Sequence, residues 1–180
     1  MSEEGAKKFN KRMTVKIIIP ILLVCAIFAI WVVKNNKKDI AAVNDGNPDF
    51  ALHITEKIAF KKLKSYGLPI VIDFGADQCI PCKQMAPVLK ELNAELRGKA
   101  IIKFVDVWKY QELAEGFPIS LIPTQIFIDS NGKPYSPKDA EAMQMKLYSL
   151  KDTGEHALTA HEGGITKEQL LDILKEMGLK

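Results

Sequence analysis

Cysteine and histidine are both scarce, at three residues each in 180. Three cysteines are too few for a disulfide framework, and Cys25 lies inside an apolar run. That leaves Cys79 and Cys82, so any redox cycle must close within this pair, and no cofactor is expected. The histidines at 53, 156 and 161 are scattered, so no second ligand pair completes a zinc site; they read as ordinary strand or surface residues. No internal repeat or low-complexity tract is visible, which excludes repeat architectures. Basic charge is missing wherever nucleic acid would need it. Residues 1–38 hold eight Lys/Arg and two Glu, a net of +6, so the total of +3 leaves −3 for residues 39–180. No basic stripe remains there, and nucleic-acid binding is excluded.

The N-terminal part instead carries IIIPILLVCAIFAIWVV, residues 17–33, without a formal charge. A helix of that length reaches roughly 25 Å against a hydrocarbon core of ~30 Å. Lys16 and Lys34 can extend it by laying their stems along lipid, and Trp31 suits the far interface. Lys7, Lys8, Lys11, Arg12 and Lys16 precede the run, whereas only Lys34, Lys37 and Lys38 follow. This bias predicts a single-pass anchor with residues 1–16 cytoplasmic and the remainder outside. A cleaved signal peptide would show a small-x-small exit, and a lipoprotein a small residue before its cysteine; here Val24 precedes Cys25. Residues 34–48 read as a tether, and residues 49–180 as one folded domain.

Within that domain strands and helices alternate. Phe50–Ile54 is a candidate strand, and Thr55 a cap for a helix over Glu56–Tyr66 that Gly67 stops. Pro69–Gly75 and Ile101–Val107 are β-branched runs that suit strands buried on both faces. A helix from Cys79 to Leu96 carries Met85, Val88, Leu89, Leu92 and Leu96 on one side. Thr124–Asp129 is a third strand, ending in a turn at Gly132. Thr166 caps a last helix, Lys167–Met177. Residues 134–154 exceed what a hairpin needs; they can hold a helix over Lys138–Met143 and a strand over Gln144–Leu150 that pairs with His156–His161. The alternation predicts an α/β domain, a central sheet with helices on both faces. Phe104, Trp108 and Tyr110 read as packing residues, and Met143 and Met145 as gap-fillers.

The chemistry sits in DFGADQCIPCKQMAP, residues 73–87. A cysteine at a helix N-terminus meets the positive end of the macrodipole and unpaired N–H donors, which favour its thiolate, the only form that attacks a disulfide. Two intervening residues put Cys82 one turn on, in reach of a mixed disulfide on Cys79. Pro81 stiffens that turn without needing an N–H. Half of a zinc site and a purely structural disulfide are the competing readings of the same spacing.

The stretch resembles the thioredoxin family, over about Phe50–Leu179 apart from the segment 134–154. Pro87 stands where the family interrupts its active-site helix, and Ile122-Pro123-Thr124 is similar to its cis-proline turn, with Pro123 following Cys82 by 41 positions. The resemblance implies a thioredoxin fold, a central mixed β-sheet flanked by helices, here after the transmembrane segment. It implies Cys79 as nucleophile and Cys82 as resolving thiol. Asp73 is implied as a buried carboxylate that takes the Cys82 proton through a water, with Lys103 beside it; a cap or ion pair with Lys103 is the plainer alternative. Ile80, Pro81, Ile122, Pro123 and Thr124 would meet an extended substrate. Gly75 and Gln78 replace aromatic residues common in the family, and Ile80 its usual glycine.

Implied partners are protein thiols or disulfides and, for a domain outside the cytoplasm, a membrane thiol carrier of the cytochrome c biogenesis type as electron donor. Isoleucine before Pro123 resembles the reductases of the family. A dithiol oxidase or isomerase, and a non-enzymatic binding module, are the alternatives.

Overall fold

The β-branched run Ile70–Gly75 (β2) lies at the centre of a six-stranded sheet, and every one of its residues is buried. The computed structural model describes residues 46–180, and the expected anchor at 17–33 lies outside them. Among the described residues no helix is long and apolar enough to cross a membrane. The other strands are β1 (His53–Ile54), β3 (Ile101–Asp106), β4 (Thr124–Ile128), β5 (Met145–Ser149) and β6 (His156–Glu162). Their order is β1-β3-β2-β4-β6-β5, parallel among β1, β3 and β2 and antiparallel across the rest. The alternation of elements leads one to expect a central sheet, and the family resemblance implies that it is mixed.

Side chains alternate across a strand, so β2 feeds two cores. Val71 faces the helices α2 (Ile80–Glu95) and α3 (Lys167–Glu176), where it joins Ile102, Phe127, Leu89, Leu92, Leu170 and Leu174. Ile70, Ile72 and Phe74 face the other way, toward Leu63 of the short helix α1 (Phe60–Ser65) and Leu113 of a 3₁₀ turn. Helices therefore cover both faces. Thr166 caps α3 as expected, and the structure adds a capping box closed between Thr166 and Gln169.

Three expected elements come out differently. The helix over Glu56–Tyr66 is reduced to α1, and Thr55 does not cap it. Ile58 and Phe60 both pack against the second core, which a helix, turning ~100° per residue, would not permit for positions two apart. The strand expected over Phe50–Ile54 begins only at His53, because Asn47 accepts from the Asp49 N–H at 3.0 Å and starts a 3₁₀ turn over Pro48–Phe50. The helix over Lys138–Met143 is a set of turns. Asp139 accepts from the Ala142 N–H at 2.9 Å, and Gln144 at φ 53° then redirects the chain into β5. The strand expected at 144–150 is β5 itself. The long segment thus supplies the edge strand that covers β6.

Candidate active site

Cys79 is the N-cap of α2, with its Sγ accepting from the Cys82 N–H at 3.3 Å, and Pro81 lies in the first turn. Extended backbone at Cys79 (φ −74°, ψ 127°) lets the side chain turn back over the unpaired N–H groups of that turn. Cys79 and Cys82 are joined as a disulfide with a Cα–Cα distance of 5.3 Å. Cys82 is the more deeply placed, 3% exposed against 8% for Cys79. An incoming thiol or disulfide therefore meets Cys79 first.

The Ile122–Pro123 peptide is cis, as the resemblance implies, and the Ile122 carbonyl oxygen lies 3.9 Å from Cys79 Sγ. Ile122 also packs against Ala76 and both cysteines. Ile80 and Leu121 are exposed, and Pro81 is at the surface. Thr124, expected beside the substrate, turns its side chain inward. Its side chain is buried, and its hydroxyl donates to the Leu121 carbonyl at 2.7 Å, which fastens the turn from inside. Trp108, read from sequence as a packing residue, is 57% exposed; Phe104 and Tyr110 pack as expected.

Asp73 is buried on the α2 side of β2. Burial pushes its carboxyl up to about 7, against the opposing influence of a hydrogen bond from Gln125. Oδ1 accepts from Gln125 Nε2 at 2.7 Å, while Oδ2 is the one buried side-chain polar atom, among the described residues, without a partner. A Cβ placed on Gly75 would lie 3.3 Å from both Asp73 Oδ2 and Cys82 Sγ, so carboxyl and thiol approach the same point. This is where a base for the resolving thiol is required.

Lys103 does not stand beside it. Phe104 is the residue directly opposite Asp73; Lys103 opposes Ile72 and so points to the other face. Its ammonium donates to the carbonyls of Ala51 at 2.7 Å and Pro48 at 3.2 Å, and burial lowers it to about 8. Lys103 therefore anchors the start of the domain, on the face of the sheet away from the Asp73 carboxyl.

Three site residues escape a reading of the sequence. Gln125 donates to Asp73, and His161 is hydrogen-bonded in turn to Gln125. Asp106 closes the active-site loop, accepting from the backbone N–H groups of Asp77, Trp108 and Lys109 at 3.0–3.2 Å. Burial alone would raise its carboxyl, but these donors and Lys109 hold it below the ordinary range. Asp106→Ala leaves three N–H groups without that acceptor and is expected to cost about 2 kcal/mol, read from urea denaturation, with Cys79 reacting faster toward alkylating reagents in the reduced protein. Among the described residues, no group of three or more His, Cys, Asp or Glu is placed to hold a metal ion.

A dithiol at a helix N-terminus, opposite a cis-proline turn and above a buried carboxyl, defines a thiol–disulfide exchange centre. The thioredoxin family model matches residues 51–153. Thioredoxin-1 of Drosophila melanogaster is 33% identical over 90 residues, 50% of this chain and 72% of that protein. Thioredoxin 1 of Chlorobaculum tepidum is 33% identical over 93 residues, 51% and 92% of the two chains. A bifunctional thioredoxin reductase/thioredoxin of Mycobacterium leprae is 34% identical over 88 residues, which are 49% of this chain and only 19% of that protein. The chain belongs to the thioredoxin family, and its domain is a thioredoxin-like protein-disulfide oxidoreductase.

Proposed function

We propose that this protein is a membrane-tethered reductase of protein disulfides outside the cytoplasm, supplied with electrons by a thiol-carrying membrane protein. The observation that carries the reading of its activity is the placement of Cys79 Sγ, 3.9 Å from the Ile122 carbonyl and beside exposed Ile80 and Leu121. An extended segment can lie along that carbonyl while its cystine sulfur meets Cys79. Isoleucine before Pro123 favours the reductive direction by family resemblance. The tether and its orientation rest on the uncharged run 17–33 and on the lysines that precede it. A domain so placed lies beyond the reach of a cytosolic reductase, which is why a membrane donor is part of the proposal.

In the forward cycle the Cys79 thiolate attacks the substrate disulfide and displaces one substrate thiolate. The Cys82 thiol then gives its proton to Asp73, and its sulfur attacks Cys79. The Cys79–Cys82 bond forms as the bond to substrate breaks, and the second substrate thiolate leaves. Two electrons pass from the protein dithiol to the substrate disulfide.

Equilibration of the full chain with a thiol–disulfide buffer tests the direction. Reducing and strongly oxidising members of such systems differ by about 150 mV, roughly 7 kcal/mol for two electrons. A potential near about −270 mV is expected, and one near about −120 mV would overturn the reductase reading. Cys82→Ser is expected to accumulate mixed disulfides through Cys79 with exported proteins and with the donor. Labelling of Cys79 in intact cells by a membrane-impermeant thiol reagent is the expected sign of its location, and protection until lysis would refute it.

A further inference from the structure

Strand register places Phe104, Asp73, Gln125, His161 and Met145 directly opposite one another across β3, β2, β4, β6 and β5. Opposed residues share a face, so these five form one row beneath α2 and α3. All five side chains are buried, with the polar groups between Phe104 and Met145, and His53 of β1 continues the register beyond Phe104 at the exposed edge. The middle is closely determined. Gln125 Nε2 gives its two hydrogens to Asp73 Oδ1 at 2.7 Å and the Gly163 carbonyl at 3.1 Å, with Met85 Sδ at 3.4 Å. Gln125 Oε1 then needs a donor, and His161 Nδ1 lies 2.9 Å away. His161 therefore carries a proton on Nδ1, and burial keeps the ring below its ordinary range of protonation. Asp73 Oδ2, near Cys82, is the buried side-chain polar atom, among the described residues, left without a partner.

We infer that Gln125 and His161 are positioning residues for the resolving step, holding Asp73 by Oδ1 so that Oδ2 is presented to the Cys82 thiol. The inference rests on Asp73 being the base for Cys82. His161 acts at one remove: it occupies Gln125 Oε1 and so keeps the amide N–H, not the carbonyl, turned toward the carboxyl. The edge strand β5 shares in this, since Met145 closes the row over His161.

A buried polar row that merely sets strand register would affect stability alone. A positioning role also changes how the resolving step depends on pH, because an N–H donated to a carboxylate favours its charged form. The groups that face the row are few. From α2 come Cys82 and Met85, and from β1 His53, which meets Phe104 edge-to-face at 5.5 Å. Glu162, next to His161 but on the other face of β6, is held by Lys146 of β5 and by Ser120. β3 presents Phe104, and α3 presents Leu170, Ile173 and Leu174.

The test uses the reduced full chain and an aromatic disulfide, dithiobis-nitrobenzoate, which releases one nitrothiophenolate when Cys79 attacks and a second when Cys82 resolves. The pH midpoint of the second phase is the readout. Gln125→Met, close in volume but without the donor, is expected to raise that midpoint by about one pH unit, with the first phase unchanged. His161→Leu is expected to raise it by less, and His161→Gln, which keeps an N–H donor, to restore it. Either lesion suffices to read the shift if the other does not fold. Unchanged midpoints in both, while Asp73→Asn abolishes the pH dependence, would overturn the inference and leave Asp73 as the base. A second phase unaffected by Asp73→Asn would instead remove the reading of Asp73 and the inference with it.

Discussion

Replacing Asp73 with asparagine is expected to stabilise the oxidised protein by a few kcal/mol at pH 8 and to change it little at pH 4. Asp73 is 1% exposed, and Oδ2 has no partner that would stabilise a charge. Burial raises its carboxyl from 3.8 to about 7 in the folded state. A raised acid binds its proton more tightly folded than unfolded. Its stabilising protonated form is therefore fully present at low pH, and stability falls as pH climbs from about 4 through about 7. A shift of that size corresponds to an upper figure of about 4 kcal/mol above the folded pKa. Asparagine keeps an acceptor for Gln125 and carries no charge, so the slope due to Asp73 should vanish. Urea denaturation of the parent and variant between pH 4 and pH 8 measures it as the difference between the two curves, because His161, held below its ordinary range, slopes the other way. Parallel curves would refute the assignment. The same substitution should slow release of mixed disulfides, so that activity at this site is maintained at the expense of stability.

Gly75→Ala should damage both stability and catalysis. The backbone at Gly75 would accept a side chain, since its φ is not in the left-handed region; the space would not. A Cβ would lie 2.9 Å from Phe104 Cε2 and 3.3 Å from both Asp73 Oδ2 and Cys82 Sγ. Phe104 cannot easily yield: it is buried and meets the His53 ring edge-to-face at a centroid distance of 5.5 Å. Overpacking of this kind costs about 1–3 kcal/mol, and relief by moving Asp73 or Cys82 separates the base from its thiol. The expected result is a lower melting temperature together with a slower second phase in the dithiobis-nitrobenzoate assay. Adding Phe104→Leu should recover part of both, and failure to do so would show that Phe104 is not the obstacle. The aromatic residue common in the family at this position has no room here because Phe104 already occupies the space.

Much of this was legible before the fold was known, and the misreadings are instructive. Local chemistry reads well from a local pattern: CxxC at a helix start, the β-branched run before it, and the proline turn that comes to lie beside Cys79. Lys103 shows where that reading ends. It lies one residue from the position opposite Asp73, and in a strand one residue is the difference between two faces. Thr124 makes a related point, since adjacency to Pro123 does not reveal that its hydroxyl turns inward to Leu121. Asp106 is a single acid at a strand end, and nothing in its neighbours announces three backbone donors.

The sequence by itself determined a CxxC pair, Cys79 and Cys82, at a helix start, because helix geometry and thiol chemistry act within a few residues. With Pro87 and Ile122-Pro123-Thr124 it carried the family resemblance. It also supplied the case for a tether, through an uncharged run and the lysines that flank it. Only the tertiary structure decided what surrounds the pair. Asp73, Gln125 and His161 are separated by 52 and 36 residues along the chain, and only the register of β2, β4 and β6 brings them into line. That register is set by long-range burial, not by any local signal. It is also what makes Gln125, and not Lys103, the neighbour of the carboxyl beneath Cys82.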